Sequence, residues 1–179
     1  LFGEGYVSNS IPGDGADLYP EVWIGRAPVR SAAEATVFVT KAIRYETLVP
    51  TGPGFGDRAL LLGEMLFPQN WSLGDTVIFD GAAVCETTAT AMTGILTPHR
   101  MYENYPAYPG SVQETKPSVM YQINQGYNLI LHVGHGYRNT MAVGLNGESL
   151  TNGDADYFYN GTRQGVLYAI NCTSSAFDY

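Results

Sequence analysis

Two apolar runs constrain this chain more than anything else in it: Asn128-Leu-Ile-Leu-His-Val-Gly-His135-Gly136 and Gly165-Val-Leu-Tyr-Ala-Ile-Asn-Cys172. Both are short, rich in branched aliphatic residues and bounded by glycine or asparagine, so they read as buried strands of an α/β protein. A crossover between two such strands makes them parallel, and sites on parallel sheets lie just beyond the carboxyl ends of the strands. One run ends on His135 and the other on Cys172. A third, Arg58-Ala-Leu-Leu-Leu-Gly-Glu64, ends on a carboxylate.

A thiol attacks as its thiolate, and a nearby imidazole serves as base or ion-pair partner, so this pair of strand ends points to covalent catalysis. Gly134 and Gly136 flank His135, leaving room for a substrate backbone and for the Gly136 N–H to face a reacting carbonyl. Glu64 can accept a hydrogen bond from the His135 ring and fix its tautomer; a surface carboxylate is the competing reading. His132 makes an H-x-x-H pattern with His135. Strand residues three apart point to opposite faces, however, so His132 reads as a residue of the core or of the layer behind the site, and no metal is expected there. Cys85 falls in a predicted helix and reads as a packed residue.

Composition narrows the function classes. The chain has 179 residues, nine Lys plus Arg against 17 Asp plus Glu and a formal charge of -8, which argues against a nucleic-acid surface and favours basic partners. No apolar run is long enough to span a membrane as a helix. Two cysteines make no disulfide framework.

Along the chain, residues 1–18 read as an irregular leading segment and 19–179 as one catalytic domain. Pro12-Gly-Asp14-Gly-Ala-Asp17 spaces two carboxylates that could ligate a structural calcium ion, but the full calcium-loop pattern is missing and a solvated turn is the stronger reading. Residues 21–26 read as a short strand. Ser31 and Glu34 form a capping-box pattern before a helix over 32–48. Residues 65–81 read as a loop with a short strand at 76–79, residues 82–96 as a helix, 98–110 as surface loop, and Pro117 starts a short helix to about 125. A loop over 137–147 and a helix over 149–160 complete the crossover to the Cys172 strand.

These blocks resemble the catalytic domain of the gingipain-type cysteine peptidases, within the wider caspase-like group. The resemblance rests on Tyr19-Pro-Glu-Val-Trp-Ile-Gly-Arg26-Ala-Pro28 before the first helix, on Val133-Gly-His135-Gly136, and on Asn171-Cys172-Thr-Ser-Ser-Ala-Phe177, in that order over roughly 17–179. It implies a caspase-like three-layer sandwich, a mostly parallel sheet flanked by helices, and a secreted or cell-surface endopeptidase of bacterial type acting on polypeptides without a cofactor. Cys172 would be the nucleophile, His135 the proton donor to the leaving amine, Glu64 the carboxylate that orients His135, and the N–H groups of Gly136 and Cys172 the oxyanion hole. A basic residue before the scissile bond would be read by an acidic pocket residue; Asp80 is the nearest match, with Asp75 and Glu86 as competitors. Met141 stands where the family often has an aromatic pocket wall. The family continues past the position of Tyr179, so the resemblance implies a sheet incomplete at its carboxyl end and a longer precursor. A secretion-system processing peptidase or transpeptidase, and a non-catalytic binding homologue, are the competing functions.

Overall fold

The computed structural model describes residues 25–48 and 54–173. The calcium reading at Asp14 and Asp17, nearly all of the 21–26 strand and everything after Thr173 lie outside them. In chain order the elements are α1 Ala32–Leu48, β1 Arg58–Gly63, β2 Met65–Phe67, β3 Phe79–Asp80, α2 Gly81–Ala91, β4 Thr97–Tyr102 and β5 Val112–Gln113. There follow α3 Lys116–Gln125, β6 Leu129–Val133, β7 Gly136–Tyr137, β8 Thr140–Ala142, β9 Ser149–Thr151, α4 Asn152–Ala155 and β10 Val166–Ile170.

The leucine run of β1 forms the centre of the molecule because both its faces are covered. Its neighbours are β4 and β6, in a sheet of order β10-β6-β1-β4-β5 whose pairs are all parallel. Alternation sends Ala59 and Leu61 into one core with Ala82, Cys85, Tyr102, Leu131 and Val133, beneath α2. Leu60 and Leu62 go into the other with Met101, Val119, Tyr127 and Val143, beneath α3. Helices therefore cover both faces, the three-layer α/β arrangement expected. Leu60, Leu61 and Leu62 are fully buried, and truncating any one to Ala removes about 2–5 kcal/mol of stability.

Local signals explain the helices. Ser31 Oγ accepts the Glu34 N–H at 3.2 Å, while the Glu34 carboxylate reaches back to the Arg30 N–H at 2.7 Å, one residue before the partner a capping box uses. Asp80 caps α2 through the Ala82 N–H. Thr115 caps α3, whose first turn holds Pro117 and whose end is Gly126 at φ 83°.

Four expectations are corrected. Residues 97–102, expected mostly as surface loop, form β4 beside the central strand; Pro98 fits because β5 joins β4 only at Met101 and Tyr102, leaving that side of Pro98 open. The 149–160 helix is instead strand β9 followed by one turn, α4, capped by Thr151 and Asp154. The 137–147 loop contains β8, which joins β7 and β9 in a three-stranded antiparallel sheet. Finally, β10 is parallel to β6 as expected but not buried: it is the edge strand among the described residues, and Val166, Leu167, Tyr168 and Ile170 are all exposed.

Candidate active site

Register assembles the site. Tyr102, Gly63, Val133 and Ile170 form one row across β4, β1, β6 and β10. The next residues along these strands, Glu103, Glu64, Gly134 and Asn171, form the rim. Each of the first three ties its strand to the next: Glu103 N–H donates to Gly63 O at 2.9 Å, Glu64 N–H to Val133 O at 3.0 Å, and Gly134 N–H to Ile170 O at 3.1 Å. His135 and Cys172 follow one residue further on neighbouring strands.

Close packing brings these two segments together. A Cβ on Gly136 would come within 2.7 Å of Asn171 Nδ2 and 3.1 Å of the Cys172 carbonyl, so the glycine after His135 lies directly against the segment that carries the thiol. Cys172 is exposed and not in a disulfide. The chain turns sharply after it, with Thr173 at φ 52°, a conformation a β-branched residue rarely adopts. Cys85 is the opposite case. Its Sγ donates to Leu62 O at 3.4 Å, and burial, with Glu114, Asp80 and Glu86 adding, pushes its thiol far above the ordinary range. It packs in the core, as the sequence suggested.

Glu64 meets His135 differently from the expected ring contact. Its carboxylate, 3% exposed, accepts the backbone N–H of His135 at 2.7 Å. The ring instead places Nε2 3.2 Å from the Met65 carbonyl. A carbonyl only accepts, so Nε2 carries the proton and Nδ1 is a bare acceptor. The reason is geometric: Glu64 and His135 leave adjacent parallel strands one and two residues beyond the shared row, so the carboxylate reaches the chain before the ring. A Cβ on Gly134 would overlap Glu64 Oε2, which is why glycine is needed there.

Asp80, expected to line a substrate pocket, is 5% exposed and engaged inside the fold. Oδ1 accepts the Ala82 N–H, and Oδ2 accepts from Asn104 Nδ2 at 3.1 Å and Tyr108 Oη at 2.9 Å. Glu86 is held by both Arg100 Nη1, 2.9 Å from each oxygen, and the Tyr102 hydroxyl. Asp75 is exposed in the loop between β2 and β3. Met141 pairs with Gly136 and, with Asn171, Leu167, Ala169 and Arg138, lines a cavity of about 650 Å³ beside the Cys172 strand.

Three contributors escaped sequence reasoning. Glu103 accepts the Met65 N–H at 2.6 Å. Burial pushes its carboxyl up to about 7, with Glu64 and Asp80 adding to the rise and the Met65 N–H opposing it. Glu114 is fully buried, and burial followed by the charges of Glu64 and Glu103 raises it well above the carboxylate range, with the Gly63 N–H opposing the rise. Both were hidden because β4 and β5 lack an apolar run. The Met65 carbonyl carries no side-chain signal at all.

Comparison with known proteins places the chain in a family. The family model described as Peptidase family C25 matches residues 5–179. No curated protein and no solved structure matches the chain. With nearly its whole length aligned to that family, the chain belongs to peptidase family C25, the gingipain family of cysteine-type peptidases.

Proposed function

We propose that this chain is an endopeptidase domain in which Cys172 is the nucleophile and His135 the acid–base partner. The observation that carries the reading is the packing of Gly136 against Asn171 and the Cys172 carbonyl, which sets the two residues at neighbouring strand ends. The Cys172 thiolate attacks the scissile carbonyl carbon, and the N–H groups of Gly136 and Cys172 receive the charge that develops on its oxygen. As the C–N bond breaks, His135 passes to the leaving amine the proton that its Nδ1 took from the Cys172 thiol; water then hydrolyses the thioester. Glu64 holds the backbone of His135, and Met65 O holds its ring.

A polypeptide is the substrate, and the family supports a secreted or surface-displayed enzyme with a basic residue before the cleaved bond. Of the three acidic pocket candidates, Asp80 is buried with both oxygens bonded and the half-buried Glu86 has both on Arg100, which favours the exposed Asp75, with Oδ2 on the Ser72 N–H, as the reader of that residue. Among the described residues no helix is long and apolar enough to cross a membrane.

Hydrolysis of fluorogenic peptides with Arg, Lys or Leu before the reporter tests the proposal. Cys172→Ala and His135→Ala each lower kcat by about 10³-fold or more, and Asp75→Asn lowers kcat/KM for the Arg and Lys peptides but not for the Leu peptide. Undiminished hydrolysis by Cys172→Ala contradicts the nucleophile assignment; equal losses on all three peptides in Asp75→Asn contradict the pocket assignment.

A further inference from the structure

We propose that His132, which takes no part in the chemistry above, is a positioning residue that locks the Cys172 segment to the His135 segment; this rests on the dyad reading and deepens it. His132 is completely buried on β6, on the α3 side of the sheet. A buried imidazole must find partners for both nitrogens, and those of His132 lie on different sides of the site. Nε2 lies 2.8 Å from the carbonyl oxygen of Ala142 on β8, and Nδ1 lies 3.3 Å from Nδ2 of Asn171.

The direction of each bond follows from its partner. The Ala142 carbonyl only accepts, so Nε2 is protonated and donates; Nδ1 is then a bare acceptor for the Asn171 amide. Ala142 is held on its other side too, because its N–H donates to the His135 carbonyl at 3.0 Å. Asn171 immediately precedes Cys172, and its side chain lies against Gly136. One rigid ring thus connects the residue before the nucleophile to the strand hydrogen-bonded to the base.

The need for such a strut is plain from the surroundings. Among the described residues Cys172 follows an edge strand that is exposed along its length, so the described part of the sheet does little to fix the thiol's position. Glu64 Oε2, already bonded to the His135 N–H, lies 3.7 Å from His132 Nε2 and completes the support from below. A ring that donates at one end and accepts at the other spans the gap without rotatable bonds, which phenylalanine cannot do for lack of polar atoms and glutamine does less rigidly. Displacing a catalytic group by about 1 Å costs on the order of 10²-fold in rate.

Two measurements on the full chain test this. Long-range ¹H–¹⁵N correlation of the ¹⁵N-histidine-labelled wild type reads the tautomer directly, independent of activity. A neutral His132 protonated at Nε2 supports the proposal, and protonation at Nδ1 overturns it. The second is steady-state kinetics and iodoacetamide alkylation of Cys172 in His132→Phe, His132→Gln, Asn171→Ala and the His132→Phe/Asn171→Ala double variant, each compared with wild type by thermal melting. Expected are losses of about tenfold to 10²-fold in kcat with KM within about twofold, partial recovery in His132→Gln, and a double variant little worse than either single one, the mark of a shared interaction. Asn171 lies at the partly exposed rim, so Asn171→Ala remains informative even if His132→Phe does not fold. Wild-type kcat and alkylation in folded Asn171→Ala overturn the role of His132 and leave the dyad standing. Undiminished hydrolysis by Cys172→Ala overturns the dyad and the strut with it.

Discussion

Glu64 holds His135 by its backbone: the carboxylate accepts the His135 N–H at 2.7 Å, while the imidazole turns to the Met65 carbonyl. The two arrangements make different demands. A carboxylate that stabilises an imidazolium must be charged, whereas one that accepts a backbone N–H can be replaced by any oxygen in the same place. Glu64→Gln is therefore expected to keep kcat within about tenfold of wild type, and Glu64→Ala to lose about 10²-fold in kcat and roughly 1–3 kcal/mol in stability by leaving a buried N–H unpaired. Kinetics and denaturant melts of the two variants separate these cases; equal loss in both supports direct ring stabilisation instead.

Glycines on either side of His135 make a second prediction. Gly134 has no room for a Cβ between Glu64 Oε2 and His132 Nε2, the latter at 2.8 Å, whereas Gly136 faces the half-buried Asn171 side chain and the Cys172 carbonyl. Gly134→Ala should cost stability, about 1–3 kcal/mol as is typical of overpacking. Gly136→Ala should chiefly lower kcat, because what yields is the Cys172 segment. Thermal melts and rates measured side by side check the split, and the reverse pattern contradicts it.

Buried carboxylates at the rim give stability a definite pH dependence. Burial raises Glu103 to about 7 and Glu114 well above the ordinary value, so the folded protein holds these protons more tightly than the unfolded chain, whose carboxyls titrate near 4.5. Unfolding then releases protons. The stabilising contribution is complete below about 4.5 and is lost as pH rises, through about 7 for Glu103 and higher for Glu114. The wild-type melting temperature should fall from pH 5 to pH 8, and Glu114→Gln should raise it at pH 8 while changing it little at pH 5. A Glu114→Gln variant with the wild-type slope contradicts the assignment.

Much of this architecture was legible in the runs at 58–64, 128–136 and 165–172, because aliphatic side chains packed on both faces of a sheet leave a contiguous apolar signature. In β10 the same signature belongs to a strand whose apolar residues lie exposed at the edge among the described residues. Residues 97–102 escaped because Pro98, His99 and Arg100 interrupt the pattern, although β1 covers one side of that strand. Strand ends placed Glu64, His135 and Cys172 at one rim. Spacing along a chain does not encode which atoms meet there: that Glu64 would reach a backbone N–H, that a carbonyl would hold the ring, and that Asp80 would spend both oxygens within the fold are consequences of register between strands. The H-x-x-H pattern did carry usable information, since alternation put His132 on the opposite face from its neighbours, where it reaches Ala142 and Asn171.

The most direct test of the account is covalent labelling with a thiol-directed peptidyl inhibitor carrying arginine at the first position, read by intact mass and peptide mapping. Cys172 is exposed, whereas Cys85 is buried with its thiol held protonated. The account predicts a single adduct on Cys172, abolished in Cys172→Ala, slowed about 10²-fold or more in His135→Ala and unchanged in Cys85→Ala. An adduct on Cys85, or labelling that survives Cys172→Ala, would contradict it.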